Sequence, residues 1–246
     1  LFTGQQGATG PGSSDAYAFW ANRPELAKYD IVVNSCECAP FDRSAAGYQA
    51  MREYLNGGGR MFGTHYHYNW FAPPTGPADF QSVAHFTTDG TAISPEAGPP
   101  VFYINTTIPK GAAFSDWIQH VYAASGPPPK GQIGVTYAAN DVAEVKGTTT
   151  NWIYTGNADF RHFPYETVYL SFNTPVGAKV QDQCGRVVFS DLHVSSGGTP
   201  GGVFPGECGD ADVPLTQQET ALEFLFFDLS SCVGDDTKAP PSPPPK

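Results

Sequence analysis

The sequence predicts an α/β domain with a mostly parallel central sheet, flanked by helices and interrupted by irregular Gly- and Pro-rich insertions. Three observations carry that expectation. The block 30-DIVVNS-35 is a short, β-branched apolar run of the kind that forms a strand buried on both faces. A helical stretch and a second apolar run, 60-RMFGTH-65, follow it, and strand, helix, strand with short connections demands a right-handed crossover and parallel pairing. Far downstream, 186-RVVFS-190 repeats the strand signature, so the three runs are expected as neighbouring interior strands.

Taken in order, the opening segment to about Asp15 is rich in Gly, Ser and Thr and lacks periodicity, which suits irregular chain with a short strand at Leu1–Phe2. The first buried strand ends in the loop Cys36-Glu37-Cys38. Between Phe41 and Asn56, Ala46, Ala50, Met51, Tyr54 and Leu55 recur at helical spacing; Asp42 or Ser44 can cap the start, and Gly57-Gly58-Gly59 stops it. The middle is turn-rich, with strands expected near Val83–Thr87 and Val101–Asn105. Phe114, Trp117, Ile118, Val121 and Tyr122 then form an amphipathic stripe. After 126-GPPPKG-131, strand-like runs lie at Gly134–Tyr137, Asn151–Tyr154, Thr167–Phe172 and Arg186–Ser190. A last helix opens on the capping box Thr216-Gln217-Gln218-Glu219, carries Ala221, Leu222, Leu225, Phe226 and Leu229 on one face, and ends near Cys232. Residues 1–236 read as one domain, and 237-TKAPPSPPPK-246 as a polyproline-type linker or tail implying further modules of the same precursor.

Composition narrows the function. Thirteen basic against 24 acidic residues give a net charge of −11, which repels phosphate backbones and anionic lipid, so nucleic acid and membrane surfaces are poor partners. No apolar run approaches the length of a spanning helix. Few Lys and Arg, many Gly, Pro, Thr and Asn, and five cysteines suit an extracellular or cell-surface protein better than a cytosolic enzyme with five thiols. The odd cysteine count leaves one unpaired or paired elsewhere. Asn105-Thr106-Thr107 is a sequon and marks a surface loop.

Several blocks carry a family resemblance: 30-DIVVNS-35, 57-GGGRMFGTH-65, 185-GRVVFSDLHVSSGG-198 and the terminal amphipathic helix. Together they resemble the ThuA-like (trehalose-utilization) branch of the class I glutamine-amidotransferase-like fold, a flavodoxin-like arrangement. The pieces 58-GGRMFGTHYHYNW-70, 171-SFNTPVG-177, 183-QCGRVVFSDLHV-194 and 221-ALEFLFFDLSSC-232 also look like those of a group of secreted bacterial proteins. In amidotransferases of this fold the strand after the Gly-rich turn leads to a nucleophilic cysteine on an elbow, and a late strand leads to a histidine followed by Pro and Glu. Here the elbow falls at or beside His65, and Val194-Ser195 follow His193, so a thiolate glutaminase is not expected.

In such a sheet chemistry gathers at the carboxyl ends of the strands. Glu37, His65, His67, Asp191 and His193 would sit there. If strand geometry persists through His65-Tyr66-His67, both imidazoles share a face. His65, His67 and His193 could then bind a divalent metal, zinc first, with Glu37 or Asp191 as further ligand or general base. The competing reading makes the same stretch an aromatic lining of hydrogen-bonded histidines. His85, His120 and His162 suit surface or packing roles, Trp117 suits the core, and Asp210, Asp212, Asp235 and Asp236 read as solvated loop charges. Strand direction puts Cys184 and Cys232 at one end of the sheet, where they could pair. Cys208 would meet Cys36 or Cys38 at the other end; a CxC metal clip is the alternative. Two functions remain open: a secreted metal-dependent hydrolase acting on a glycan or peptide, and a non-catalytic module that binds a glycan or protein partner in a surface assembly.

Overall fold

The computed structural model describes residues 2–3, 14–35, 37, 39–72, 76–87, 92–93, 101–135, 138–139, 141–155, 166–192 and 215–239. In chain order its strands are β1 (Phe2–Thr3), β2 (Ser14–Asp15), β3 (Ile31–Asn34), β4 (Arg60–Thr64), β5 (Ala84–Phe86), β6 (Ala92–Ile93), β7 (Phe102–Ile104), β8 (Gln132–Ile133), β9 (Ala138–Ala139), β10 (Val142–Val145), β11 (Thr150–Thr155), β12 (Thr167–Thr174) and β13 (Gly185–Ser190). Its α-helices are α1 (Ala16–Trp20), α2 (Arg23–Leu26), α3 (Ala45–Asn56), α4 (Ala78–Gln81), α5 (Pro109–Val121) and α6 (Gln217–Ser230).

The chain is an α/β fold built on a seven-stranded sheet of order β3-β4-β13-β12-β11-β7-β8. The three expected neighbours are adjacent and parallel, with Val32 opposite Met61 and Met61 opposite Val187. The remaining pairings are antiparallel, so the sheet is mixed where a mostly parallel one is expected, and its parallel block is confined to the first three strands. One expectation changes: β3 is an edge strand, not an interior one. Val32 and Asn34 are buried while Val33 is 56% exposed. A β-branched run reports strand preference, but not how many neighbours the strand will have.

The glycine run 57–59 shows why this βαβ unit closes tightly. The Ser44 hydroxyl caps α3 by accepting from the Gly47 N–H, at 3.0 Å. Gly57 ends the helix, and Gly58 takes a φ of 104°. Gly59 lies against the Tyr54 ring, where a Cβ would overlap it. That ring is buried because its hydroxyl donates into the Tyr29, Asp30 and Arg60 carbonyl cluster at 3.0–3.2 Å, tying the helix end to the start of both strands.

Side chains from the two faces of the sheet form two cores. One holds Leu26, Met51, Tyr54, Leu55, Met61, Leu170, Val187 and Phe189 beneath α1 to α3, with Val142 and Phe86 from the β5–β10 ribbon. The other holds Phe62, Ile104, Phe114, Ile118, Trp152, Val188, Leu225 and Leu229 beneath α5 and α6. Each large apolar side chain buried this way contributes about 1.5–3 kcal/mol. The capping box at Thr216 and Glu219 forms as expected. Trp117 is only partly buried, and Val121, at the end of its stripe, is exposed. The run expected at Gly134–Tyr137 appears instead as β8, two residues earlier, and residues 136–137 lie outside the described set. The ribbon strand β10 and the short helices α1 and α2 had no sequence expectation.

Candidate functional site

The strand β4 ends at Thr64, and residues His65–Trp70 turn into a 3₁₀ helix. His65 takes a φ of 43°, the one positive φ among the described non-glycine residues. Holding a side chain there costs about 1–3 kcal/mol and is characteristic of functional turns, although histidine tolerates this region better than most residues. The turn also overturns the shared-face expectation: with three residues per turn, positions two apart point in different directions. His65 and His67 therefore enter separate clusters.

The first cluster joins His65 to two carboxyls. His65 Nδ1 lies 2.9 Å from Asp141 Oδ2 and donates to it, which leaves the lone pair of the ring on Nε2. The Asp141 N–H donates to Asp191 Oδ2 at 3.0 Å. Both aspartates are fully buried. Burial, followed by the nearby charge of Asp141, pushes the Asp191 carboxyl well above the usual carboxylate range. Asp141 Oδ1 and Asp191 Oδ1 are both buried and make no hydrogen bond, which a proton on Asp191 would make less costly. The backbone fixes both residues. Asp191 follows β13 and its carbonyl accepts from Ala139 N–H at 2.7 Å, while Asp141 precedes β10 and its carbonyl accepts from Thr87 N–H at 2.9 Å. Tyr66 stacks on the His65 ring at 3.9 Å.

The second cluster is a buried cation in an aromatic cage. The Arg43 guanidinium lies 4.6 Å from the Trp20 ring, 5.1 Å from Trp70 and 5.4 Å from Tyr17. It ion-pairs with Glu37 through Nη2, and the same nitrogen donates to His67 Nδ1 at 3.2 Å. His67 Nε2 donates to the Ser35 carbonyl at 2.7 Å. Burial, then the charge of Arg43, drops the His67 pKa to about 3, so the ring is neutral and both nitrogens are committed. Trp20 Nε1 donates to Asn34 Oδ1 at 3.1 Å, closing the cluster against the end of β3.

These geometries decide the roles assigned from sequence. His67 does not fit a metal, since its acceptor nitrogen faces a guanidinium and the other holds a carbonyl. Glu37 is the buried counter-ion of Arg43 and is not placed as a general base. Asp191 stands behind Asp141 and supports it. Among the described residues no group of three or more His, Cys, Asp and Glu side chains is arranged to hold a metal ion. His193, Cys36, Cys38 and Cys208 lie outside the described residues, as do His162, Asp210 and Asp212. Cys184 and Cys232 are free, exposed thiols, so the expected bridge between them is not formed. Each does reach the expected end of the sheet, Cys184 against the Asn56 carbonyl and Cys232 just past the helix whose Leu229 carbonyl accepts from Arg60. Shared location fixes the neighbourhood of two sulfurs, but not their approach. His85 and His120 are exposed, as expected.

Two residues at the centre of these clusters gave no signal in the sequence. Asp141 sits in the turn of 138-AANDVA-143 with no motif around it, 76 positions from His65, and only the fold brings them together. Arg43 gave no signal beyond its place at the helix start. An open cavity of about 340 Å³ between α3 and residues 76–79 contains none of these side chains.

The strand ends thus define a class: an α/β domain with an elbow histidine and paired aspartates at the carboxyl edge of its parallel block. No family model matches the chain, and no curated protein does. Among solved structures, the mmIFT52 N-terminal domain superposes with a TM-score of 0.51 at 9% identity, over 89% of this chain and 83% of that one. A protein from Bacteroides uniformis, provisionally named ThuA-like, gives 0.42 at 9% identity, over 73% and 65%. The cytoplasmic protein STM3548 from Salmonella typhimurium gives 0.43 at 10% identity, over 87% and 79%. At such identities the likeness is one of fold alone.

Proposed function

We propose that this chain is an extracellular ThuA-like hydrolase domain acting on a glycan or a peptide, with His65 as the proton-transfer group. The observation that carries the reading is the elbow itself: a histidine at φ 43° whose Nδ1 is held by Asp141, with Asp191 behind. A carboxylate on Nδ1 fixes the tautomer and stabilises the imidazolium, as general-base catalysis requires. His65 Nε2 takes a proton from water as the water oxygen attacks the electrophilic carbon of the substrate. It then returns that proton to the departing oxygen or nitrogen. Glutamine amidotransfer is disfavoured because a histidine holds the place where that chemistry needs a thiolate. The ThuA-like assignment rests on 57-GGGRMFGTH-65 and 185-GRVVFSDLHVSSGG-198, and the extracellular one on composition.

The buried, unpartnered oxygens of Asp141 and Asp191 favour a second reading, in which zinc or another divalent ion is held by His65, His193 and one of these carboxyls, without His67. Hydrolysis of a panel of polysaccharides and peptides, by chelator-treated and zinc-supplemented protein, separates the two. The metal-free reading expects activity that survives chelation and disappears in His65→Ala. Activity retained by that variant rejects the site, and activity restored only by zinc supports the metal. Turnover of nothing in the panel would reject hydrolysis of these classes and leave a non-catalytic binding module. Asp191→Asn should keep most of the activity, because its amide N–H can donate to Asp141, whereas Asp191→Ala should lower it about 10-fold or more through the lost orientation.

A further inference from the structure

The segment after α6 is held in an unusual way. Residues 231–239 are exposed or half-exposed, with one exception: Asp236 is buried. Its Oδ1 accepts from Lys110 Nζ at 2.8 Å, and its Oδ2 accepts from Arg186 Nη2 and Thr150 Oγ1, each at 2.9 Å. Ser171 Oγ reaches the same Oδ2 at 3.4 Å. These donors come from α5, β13, β11 and β12, so four elements converge on one carboxylate. Arg186 is itself fixed from behind, with Nη1 donating to Asn173 Oδ1 at 2.8 Å and Nη2 to Ser171 Oγ at 3.0 Å. Asp228 of α6 pairs with both cations, at 2.9 Å to Lys110 and 2.5 Å to Arg186.

Two cations thus face two carboxylates, of which one, Asp228, belongs to the framework. Without Asp236 the pocket would keep two cations and one anion, a net positive charge in a buried place. It would then attract an anion. Burial alone would raise the Asp236 carboxyl, but Arg186 and Lys110 outweigh it and hold it below its ordinary range. The rest of the segment is held by a bond from Asn173 Nδ2 to the Gly234 carbonyl at 2.9 Å, by the Ser231 hydroxyl and N–H donating to the Asp228 carbonyl at the helix end, and by a local turn in which Asp235 accepts from the Thr237 N–H and hydroxyl. No member of either apolar core comes from residues 231–239 among the described residues.

We infer that Lys110, Thr150, Ser171 and Arg186 form a carboxylate-binding socket whose built-in ligand is Asp236. The segment 231–239 is a polar clasp plugged into it. Arg186 is the second residue of β13, so the clasp lies at the end of the sheet opposite His65. Because the hold is ionic and not apolar, a small free carboxylate can take the place of the missing side chain. This site is separate from the one proposed for hydrolysis and stands or falls independently of it.

The test is chemical rescue in the full chain. Asp236→Ala should lower the Tm by on the order of 10 °C and open residues 231–239 to subtilisin. Sodium formate or acetate should recover at least half of that loss where sodium chloride at equal ionic strength does not, and Asp235→Ala should behave like the parent protein. An Asp236→Ala variant with the parent Tm, or one that formate stabilises no better than chloride, overturns the socket. If that variant does not fold, Asp236→Asn, which keeps the shape and one acceptor, carries the test: it should be cleaved within 231–239 faster than the parent, and equal resistance overturns the clasp.

Discussion

The residues His65 and His67 stand two positions apart and have different chemical surroundings. His65 is aimed at the Asp141 carboxylate, whereas His67 is buried beside a guanidinium, and burial first, then that charge, disfavours its protonated form. His67 has a folded pKa of about 3, far below the 6.5 of an unhindered imidazole. Between those values the unfolded chain binds a proton that the folded chain refuses, so stability rises with pH across that window. The contribution is complete above pH about 6.5 and is lost as pH falls toward about 3, at roughly 1.4 kcal/mol per unit. Urea unfolding midpoints measured from pH 4 to 6 should therefore climb steeply. His67→Gln, which cannot take that proton, should flatten the climb by about one proton's worth; an unchanged slope would mean that His67 is not the buried neutral ring described.

Among the elements, the junction of α3, β4 and β13 is the tightest. Gly185 opens β13 beside the Gly-rich turn, and a Cβ there would overlap the Leu55 carbonyl and the Thr174 hydroxyl, with the Gly59 carbonyl at 2.8 Å. Two of these atoms are backbone and cannot swing aside. The Thr174 hydroxyl already donates to the Leu55 carbonyl at 2.8 Å, so the added methyl would also break a buried hydrogen bond. Gly185→Ala should cost about 3 kcal/mol, read as a lowered denaturation midpoint with an unchanged m-value. Gly147, whose φ is 60° but around which nothing lies within reach, offers the contrast. There alanine should cost only about 1 kcal/mol of backbone strain.

Across the whole molecule, the two ends of the parallel block carry different polar systems. The carboxyl end holds the histidine and paired aspartates. The amino end holds Arg186, whose 1% exposed guanidinium is shared by Asp228 of α6 and Asp236 of the terminal segment. Arg186 therefore ties the sheet, the last helix and the chain end into one unit. Replacing it with Met fills the volume but leaves two buried carboxylates facing Lys110 alone, and should cost about 3–5 kcal/mol. Equilibrium denaturation would read this, and a loss below 1 kcal/mol would show that the network is solvated and not buried.

The sequence by itself determined the fold class and the principal elements, β3, α3, β4, β11, β12, β13 and α6. Local signals sufficed for that: apolar period, the Ser44 cap, the glycine run and the capping box at Thr216 each act within a few residues, and the parallel pairing of β3 with β4 follows from the βαβ connection. What only the tertiary structure decided is who meets whom. Nothing near His65 in sequence announces Asp141, because pairing across 76 positions is set by how β9 and β10 cross the end of β13. The alternation rule that put His65 and His67 on one face failed once the strand ended at Thr64. Asp236 looked like one charge in an acidic, solvated tail, since composition cannot tell a carboxylate facing water from one facing an arginine. Burial and partnership depend on distances through space, and a one-dimensional pattern carries those only when the partners are also neighbours along the chain.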